Sequence, residues 1–114
     1  MTADREIHHP CKIQPQDHAV WAESKMGKST IFRSDHLLVG LNSFEVGQEH
    51  HLHTHSGMDK VYLVVSGSGQ FLLEDREIQL AVGEMLVAPA DVPHGVRNEG
   101  PEQLLVLVFL APGP

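Results

Sequence analysis

Residues 47–67 read Gly47-Gln48-Glu49-His50-His51-Leu52-His53-Thr54-His55-Ser56-Gly57-Met58-Asp59-Lys60-Val61-Tyr62-Leu63-Val64-Val65-Ser66-Gly67. Four of the chain's nine histidines fall here, at 50, 51, 53 and 55. The preceding segment, 37–46, alternates and is rich in Val, Leu and Phe, which predicts a strand running into the histidines. Side chains two apart on a strand share a face. That parity predicts His51, His53 and His55 on one face, and His50 on the other, in solvent. Successive rings on such a face are about 7 Å apart along the strand. Imidazoles so placed can converge on one divalent transition metal, for which neutral imidazole is the commonest protein ligand. A solvated, functionless cluster would not require this spacing.

Outward from this stretch, helical periodicity is weak and turn signals recur about every ten residues. Ser34-Asp35, Val46-Gly47, Ser66-Gly67-Ser68-Gly69, Glu74-Asp75, Val82-Gly83 and Asn98-Glu99-Gly100-Pro101 are among them. Strands are predicted at 29–33, 37–46, 49–55, 60–66, 69–74, 77–81, 85–88, 92–98 and 103–110. Short strands at this spacing indicate an all-β sandwich or barrel in a single domain. Val61–Val65 and Leu104–Leu110 are continuous apolar runs rather than alternating ones. A barrel strand has one inward face, so the outward face of each run needs a cover. The candidates are the N-terminal segment 1–28, in which Val20-Trp21-Ala22 would anchor on the barrel, or a second subunit. A homodimer is therefore expected.

Composition narrows the function classes. The chain has 114 residues, 41% of them hydrophobic, enough for one domain with a true core. Its formal charge is −7 and its pI about 5.6. That argues against nucleic acid or an anionic membrane as partner, because both select a basic face. Cys11 is the sole cysteine, so no internal disulfide can form, and the chain suits a reducing compartment. The first twenty residues hold no apolar run of signal-peptide type, and the longest apolar run, 104–111, is too short to span a membrane. A cytoplasmic location is the expectation.

A second stretch completes the pattern: Gly83-Glu84-Met85-Leu86-Val87-Ala88-Pro89-Ala90-Asp91-Val92-Pro93-His94-Gly95-Val96-Arg97-Asn98. With Gly47, His53, His55 and Gly67, it resembles the two motifs of the cupin superfamily, in order and with the family's internal spacing. Motif one spans 47–67 and motif two 83–98. In the second, only Asp91 departs, standing where the family has glycine. The resemblance implies the double-stranded β-helix or jelly-roll barrel, with the barrel over 29–114. It also implies that His53, His55 and His94 are three metal ligands, for Fe, Mn, Ni, Zn or Cu. Gly47, Gly67 and Gly83 fall at strand junctions that call for a tight turn or positive φ. Asn98 reads as a strand-end residue, and His8, His9, His18 and His36 as exposed.

Lys60 stands where the family's fourth ligand, a glutamate, is found. A protonated lysine has no lone pair to give a metal. Three readings stay open: a three-histidine site with an open side, as in some cupin dioxygenases; Asp59 in the carboxylate role; or a metal-free site with the Lys60 ammonium in the metal's place. What the resemblance implies is a metal-dependent enzyme on a small organic molecule, dioxygenase-, isomerase- or lyase-like. Lys60 or His51 would then be its proton donor or carboxylate anchor, with Tyr62 in the pocket or the core. The competing readings are a non-catalytic small-molecule or metal-binding sensor, and a metal-free epimerase-like cupin using histidine as base.

Overall fold

The computed structural model describes residues 7–113; the ends of the expected segments at 1–6 and 114 lie outside the described residues. Among the described residues there are a single 3-10 turn, Pro15–His18, and nine strands. The strands are β1 (Gly27–Arg33), β2 (Leu38–Phe44), β3 (Glu49–His53), β4 (Asp59–Ser66), β5 (Ser68–Leu72), β6 (Glu77–Ala81), β7 (Met85–Ala88), β8 (His94–Arg97) and β9 (Leu104–Ala111). Every expected strand has its counterpart, with ends agreeing to within two residues. No helix among the described residues is long and apolar enough to cross a membrane.

The strands form two antiparallel sheets, a five-stranded one in the order β1-β2-β9-β4-β7 and a four-stranded one in the order β3-β8-β5-β6. The sheets face each other across a core that includes Phe44, Tyr62, Val64, Phe71, Val96, Leu104 and Val106, each at most 1% exposed. Period-two burial along β4 and β9 sets the inward rows. Lys60, Tyr62 and Val64 are buried between the half-buried Val61, Leu63 and Val65. On β9, Val106, Val108 and Leu110 are buried and Leu107 and Phe109 half-buried. The apolar runs in the sequence are therefore ordinary alternating strands whose outward positions are also apolar.

The N-terminal segment covers part of that outer face. Ile13, Ala19 and Trp21 pack over Ile31, Leu41 and Leu105. The Ser29 hydroxyl donates to the His18 carbonyl at 2.6 Å, and the Gln48 amide to the Ala22 carbonyl at 2.8 Å. His18, expected in solvent, is 8% exposed because the 3-10 turn sits against β1. The cover stops short of β7, where Met85 and Val87 stay 53% and 62% exposed. They pair with Leu63 and Val61 in the register, so all four share the outer face.

Gly47, Gly67 and Gly83 all adopt positive φ, at 90°, 78° and 86°. At Gly67 the need is double, because a Cβ there would run into the Gln103 carbonyl. Asp91, the one departure from the second motif, takes the conformation the family's glycine would supply, φ 68°. Aspartate enters this left-handed region more readily than most residues. Its backbone N–H donates to the His55 carbonyl at 3.1 Å, tying the loop before β8 to the loop after β3. Asp91→Val, which puts a β-branched residue at this φ, is expected to destabilise the fold by about 1–3 kcal/mol in urea unfolding. Asp91→Gly is expected to stay within about 1 kcal/mol of the native chain.

Candidate metal centre

Two elements and one loop converge at the end of the barrel. His53 closes β3 and pairs directly with His94 at the start of β8. His55 follows two residues on, in the loop before β4. That loop is held against residues 89–91 by the Asp91 bond and by the Asp59 carboxylate, which accepts the Ala90 N–H at 2.9 Å. His53 and His94 have ring centroids 4.5 Å apart; His55 lies 5.0 Å from His53 and 5.5 Å from His94. One ligand nitrogen from each of the three falls within 4.8 Å of the others, so the cluster could hold a metal ion. Two nitrogens each bonded at about 2.1 Å to one ion are at most about 4.2 Å apart, so the rings already stand near binding distance.

The hydrogen bonds fit a metal. His53 Nδ1 lies 2.6 Å from the His51 carbonyl oxygen, and His94 Nδ1 lies 2.9 Å from that of Val92. A carbonyl only accepts, so each Nδ1 carries the proton and donates it. In the neutral ring Nε2 then holds the free lone pair. The Nε2 atoms of His53, His55 and His94 are buried with no hydrogen-bond partner among the described residues. A buried polar atom left unpaired carries a penalty of about 1–3 kcal/mol. Three such nitrogens in one place suit a borderline cation, and in His53 and His94 backbone carbonyls fix the tautomer as around known metal-bound histidines.

The structure reverses the parity expected for His50 and His51. Between the paired positions His50↔Val96 and His53↔His94, β3 advances three residues while β8 advances two. This β-bulge switches which side chains face inward. The His50 ring stacks on His53 at 4.0 Å, whereas the His51 side chain is 88% exposed and pairs with Glu49 at 2.9 Å. The bulge packs onto Gly95, where a Cβ would lie 2.7 Å from the His50 carbonyl oxygen. Neither the extra residue nor Gly95's role is visible in a period-two reading of the sequence.

Lys60 points inward and is 5% exposed, with Nζ 4.8 Å above the centre of the Tyr62 ring. Tyr62 itself is core, 0% exposed, and burial pushes its phenol pKa up. Asp59 is exposed and engaged with Ala90, and it is not among the residues whose ligand atoms cluster. Asn98 is structural. Its side-chain amide donates to the Phe44 and Glu102 carbonyls at 3.0 and 2.9 Å, and its Oδ1 accepts from the Gly100 N–H.

Burial dominates the electrostatics. It lowers the pKa of His50 to about 3, the neighbouring His53 adding to the effect, and that of His55 to about 4, with Lys60 adding. His53 and His94 also fall through burial, partly offset by their carbonyl bonds. Burial, then the charge of Lys28, lowers Lys60 to about 8. At neutral pH the four imidazoles are therefore uncharged, as metal ligation requires.

Two facing antiparallel sheets with a three-histidine cluster at one end define a double-stranded β-helix protein. The cupin domain family matches residues 40–110, and the chain belongs to that family. The crystal structure of TT1209 from Thermus thermophilus is similar at 37% identity and a TM-score of 0.85, covering 90% of this chain and 98% of that one. An RmlC-like cupin protein from Desulfovibrio desulfuricans is similar at 27% identity and a TM-score of 0.82, covering 91% and 98%. An uncharacterized protein of Methanocaldococcus jannaschii is 27% identical over 62 residues, 54% of this chain. The matched stretch spans 50% of that relative's length.

The histidines set the expected pH response of the metal-free protein. Their folded pKa values lie below the unfolded 6.5, so below 6.5 the unfolded state binds more protons and stability falls with falling pH. Carboxylates enter only below about 4.5, so the arm from 6.5 to about 5 belongs to the histidines. Lys60 has the same sign in another window: between about 8 and 10.5 the unfolded state again holds the extra proton, and stability rises with pH. Urea midpoints measured from pH 5 to about 9.5 should show both slopes, and Lys60→Met should flatten the alkaline one. A level acid arm would contradict buried neutral imidazoles.

Proposed function

We propose that this cupin holds one divalent transition metal on His53, His55 and His94 and acts as a metal-dependent enzyme on a small organic molecule. The observation that carries this reading is the trio of buried, unpartnered Nε2 atoms, two of them fixed by Nδ1 bonds to carbonyls. The bound ion would supply Lewis-acid polarisation of substrate oxygens, or dioxygen activation if it is iron. The chain's own residues hold and orient. The three imidazoles face one point, the 89–91 loop braces His55, and Tyr62 and Phe71 wall the core beneath, their rings 5.2 Å apart. With no carboxylate in the cluster among the described residues, an ion held by the three imidazoles would have room to take a substrate oxygen.

Lys60 is then an inward group able to donate a proton or bind a substrate oxygen. His51, turned to solvent beside Glu49, could serve only a ligand reaching the rim. A sensor that holds the same ion and ligand without turnover is the second reading. Dioxygen uptake and product analysis on a substrate panel separate the two.

Metal analysis of protein purified without chelator or nickel resin should give about one ion per chain. His53→Ala and His94→Ala should each lose it, and equal content in all three proteins would refute the site. The lowered ligand pKa values weaken competition from protons, so metal should stay bound below the pH near 6.5 at which free imidazole protonates. Lys60→Glu adds a carboxylate on the inward face and removes a like charge. Metal affinity in chelator competition should rise about tenfold or more. Metal binding created by Lys60→Ala where the native chain has none would instead support the metal-free reading.

We further propose that the uncovered outer face formed by Val61, Leu63, Met85, Val87 and Phe109 pairs with a second copy of the chain. Two-fold self-pairing is the commonest way such a face is buried. Sedimentation should report a dimer that Val87→Lys shifts toward monomer, and a native monomer would refute the pairing.

A further inference from the structure

Next to the triad, the inner face of the five-stranded sheet encloses a pocket of about 230 Å³, lined by Lys28, Asn42, His55, Lys60 and Val108 among others. Three of the chain's eight Lys and Arg residues, Lys28, Arg33 and Lys60, reach this lining, and none of the thirteen Asp and Glu residues among the described residues does. In a chain of net charge −7 that is a local reversal of sign. Lys60 is 95% buried, being 5% exposed, yet it makes no hydrogen bond and no ion pair with any described residue. A largely desolvated ammonium with no counter-ion among the described residues is costly, and proteins ordinarily pair it.

We propose that the missing counter-ion is the ligand: a small organic acid whose carboxylate lies between Lys60 and Lys28 and whose remaining oxygen groups face the His53–His55–His94 cluster. The site deepens the metal-enzyme reading and rests on it only for the direction the acid faces, because the lysines alone make the anion subsite. The volume equals roughly eight water molecules, which fits an acid of about four to six carbons and excludes nucleotides and polymers. Lys28, on β1 at the exposed rim, meets the acid as it enters, and Lys60, on β4, holds it inside. Asn42, 6% exposed on β2, adds a neutral hydrogen-bonding group to the same wall.

Calorimetric titration of the full chain with succinate, malate and 2-oxoglutarate tests this, in zinc-loaded and in chelator-treated protein. At least one of these acids should bind with a Kd of about 1 mM or tighter, and its uncharged amide at least about tenfold more weakly. Lys60→Met and Lys28→Met should each weaken the acid by about tenfold or more, while Lys12→Met, on the exposed N-terminal segment, should leave it unchanged. Lys28→Met changes a surface position, so the test stands even if the buried variant folds poorly. Acid binding that depends on the lysines in protein unable to take up zinc would uphold this subsite and refute the metal reading. Absence of binding by all three acids, equal binding of acid and amide, or lysine variants that bind like the native chain would overturn the proposal. Inorganic phosphate binding more tightly than every acid would overturn the assignment to carboxylates.

Discussion

The bond from a histidine Nδ1 to the carbonyl two residues before it is the constraint on which the site turns. It occurs twice, from His53 to His51 and from His94 to Val92. Each bond fixes the tautomer and the ring plane at once and leaves the Nε2 lone pair on the inward side. Both depend on the backbone path at a strand end, the close of β3 and the start of β8. Pro93 and the left-handed Asp91 shape the approach to His94. The bulge in β3, seated over Gly95, re-aims His53 so that it meets His94 across the sheet. A Cβ at Gly95 would lie 2.7 Å from the His50 carbonyl oxygen, so the bulge as it stands requires this glycine.

The fold was legible in the sequence because it rests on local signals: glycine turns, period-two strands and two spaced motifs. All nine strands were found that way. The site was legible in its identities but not in its geometry. Parity assigned His51 to the inner face, whereas one extra residue between His50 and His53 puts His50 there and turns His51 outward. A bulge depends on what lies across the sheet, here a glycine in a strand distant in sequence, so no local pattern encodes it. Lys28 was missed for a related reason. It faces the pocket only because β1 begins at Gly27 and pairs Lys28 with Asn42 on the inner row. Lys60, by contrast, was readable from the family spacing and from parity with Tyr62, and both place it inward, where it lies.

The polar groups at this end of the barrel carry a cost that the core must offset. Among the described residues four buried imidazole nitrogens lack partners, those of His50, His53, His55 and His94, Lys60 has no counter-ion, and burial drives all their titrations toward the neutral forms. Strain and unmet polar demand of this kind concentrate at functional sites, where a ligand relieves them. A cation would satisfy the imidazoles and an anion the lysines, and the two demands adjoin at His55, which belongs to the triad and to the pocket wall.

The most direct test of the central claim is anomalous diffraction from crystals of the native protein grown with one divalent transition metal. A single strong peak about 2.1 Å from Nε2 of His53, His55 and His94, with both Nδ1 bonds to carbonyls intact, is the expected result. Density for the Lys60 ammonium at the point where the three imidazoles converge, with no anomalous peak there, would contradict it.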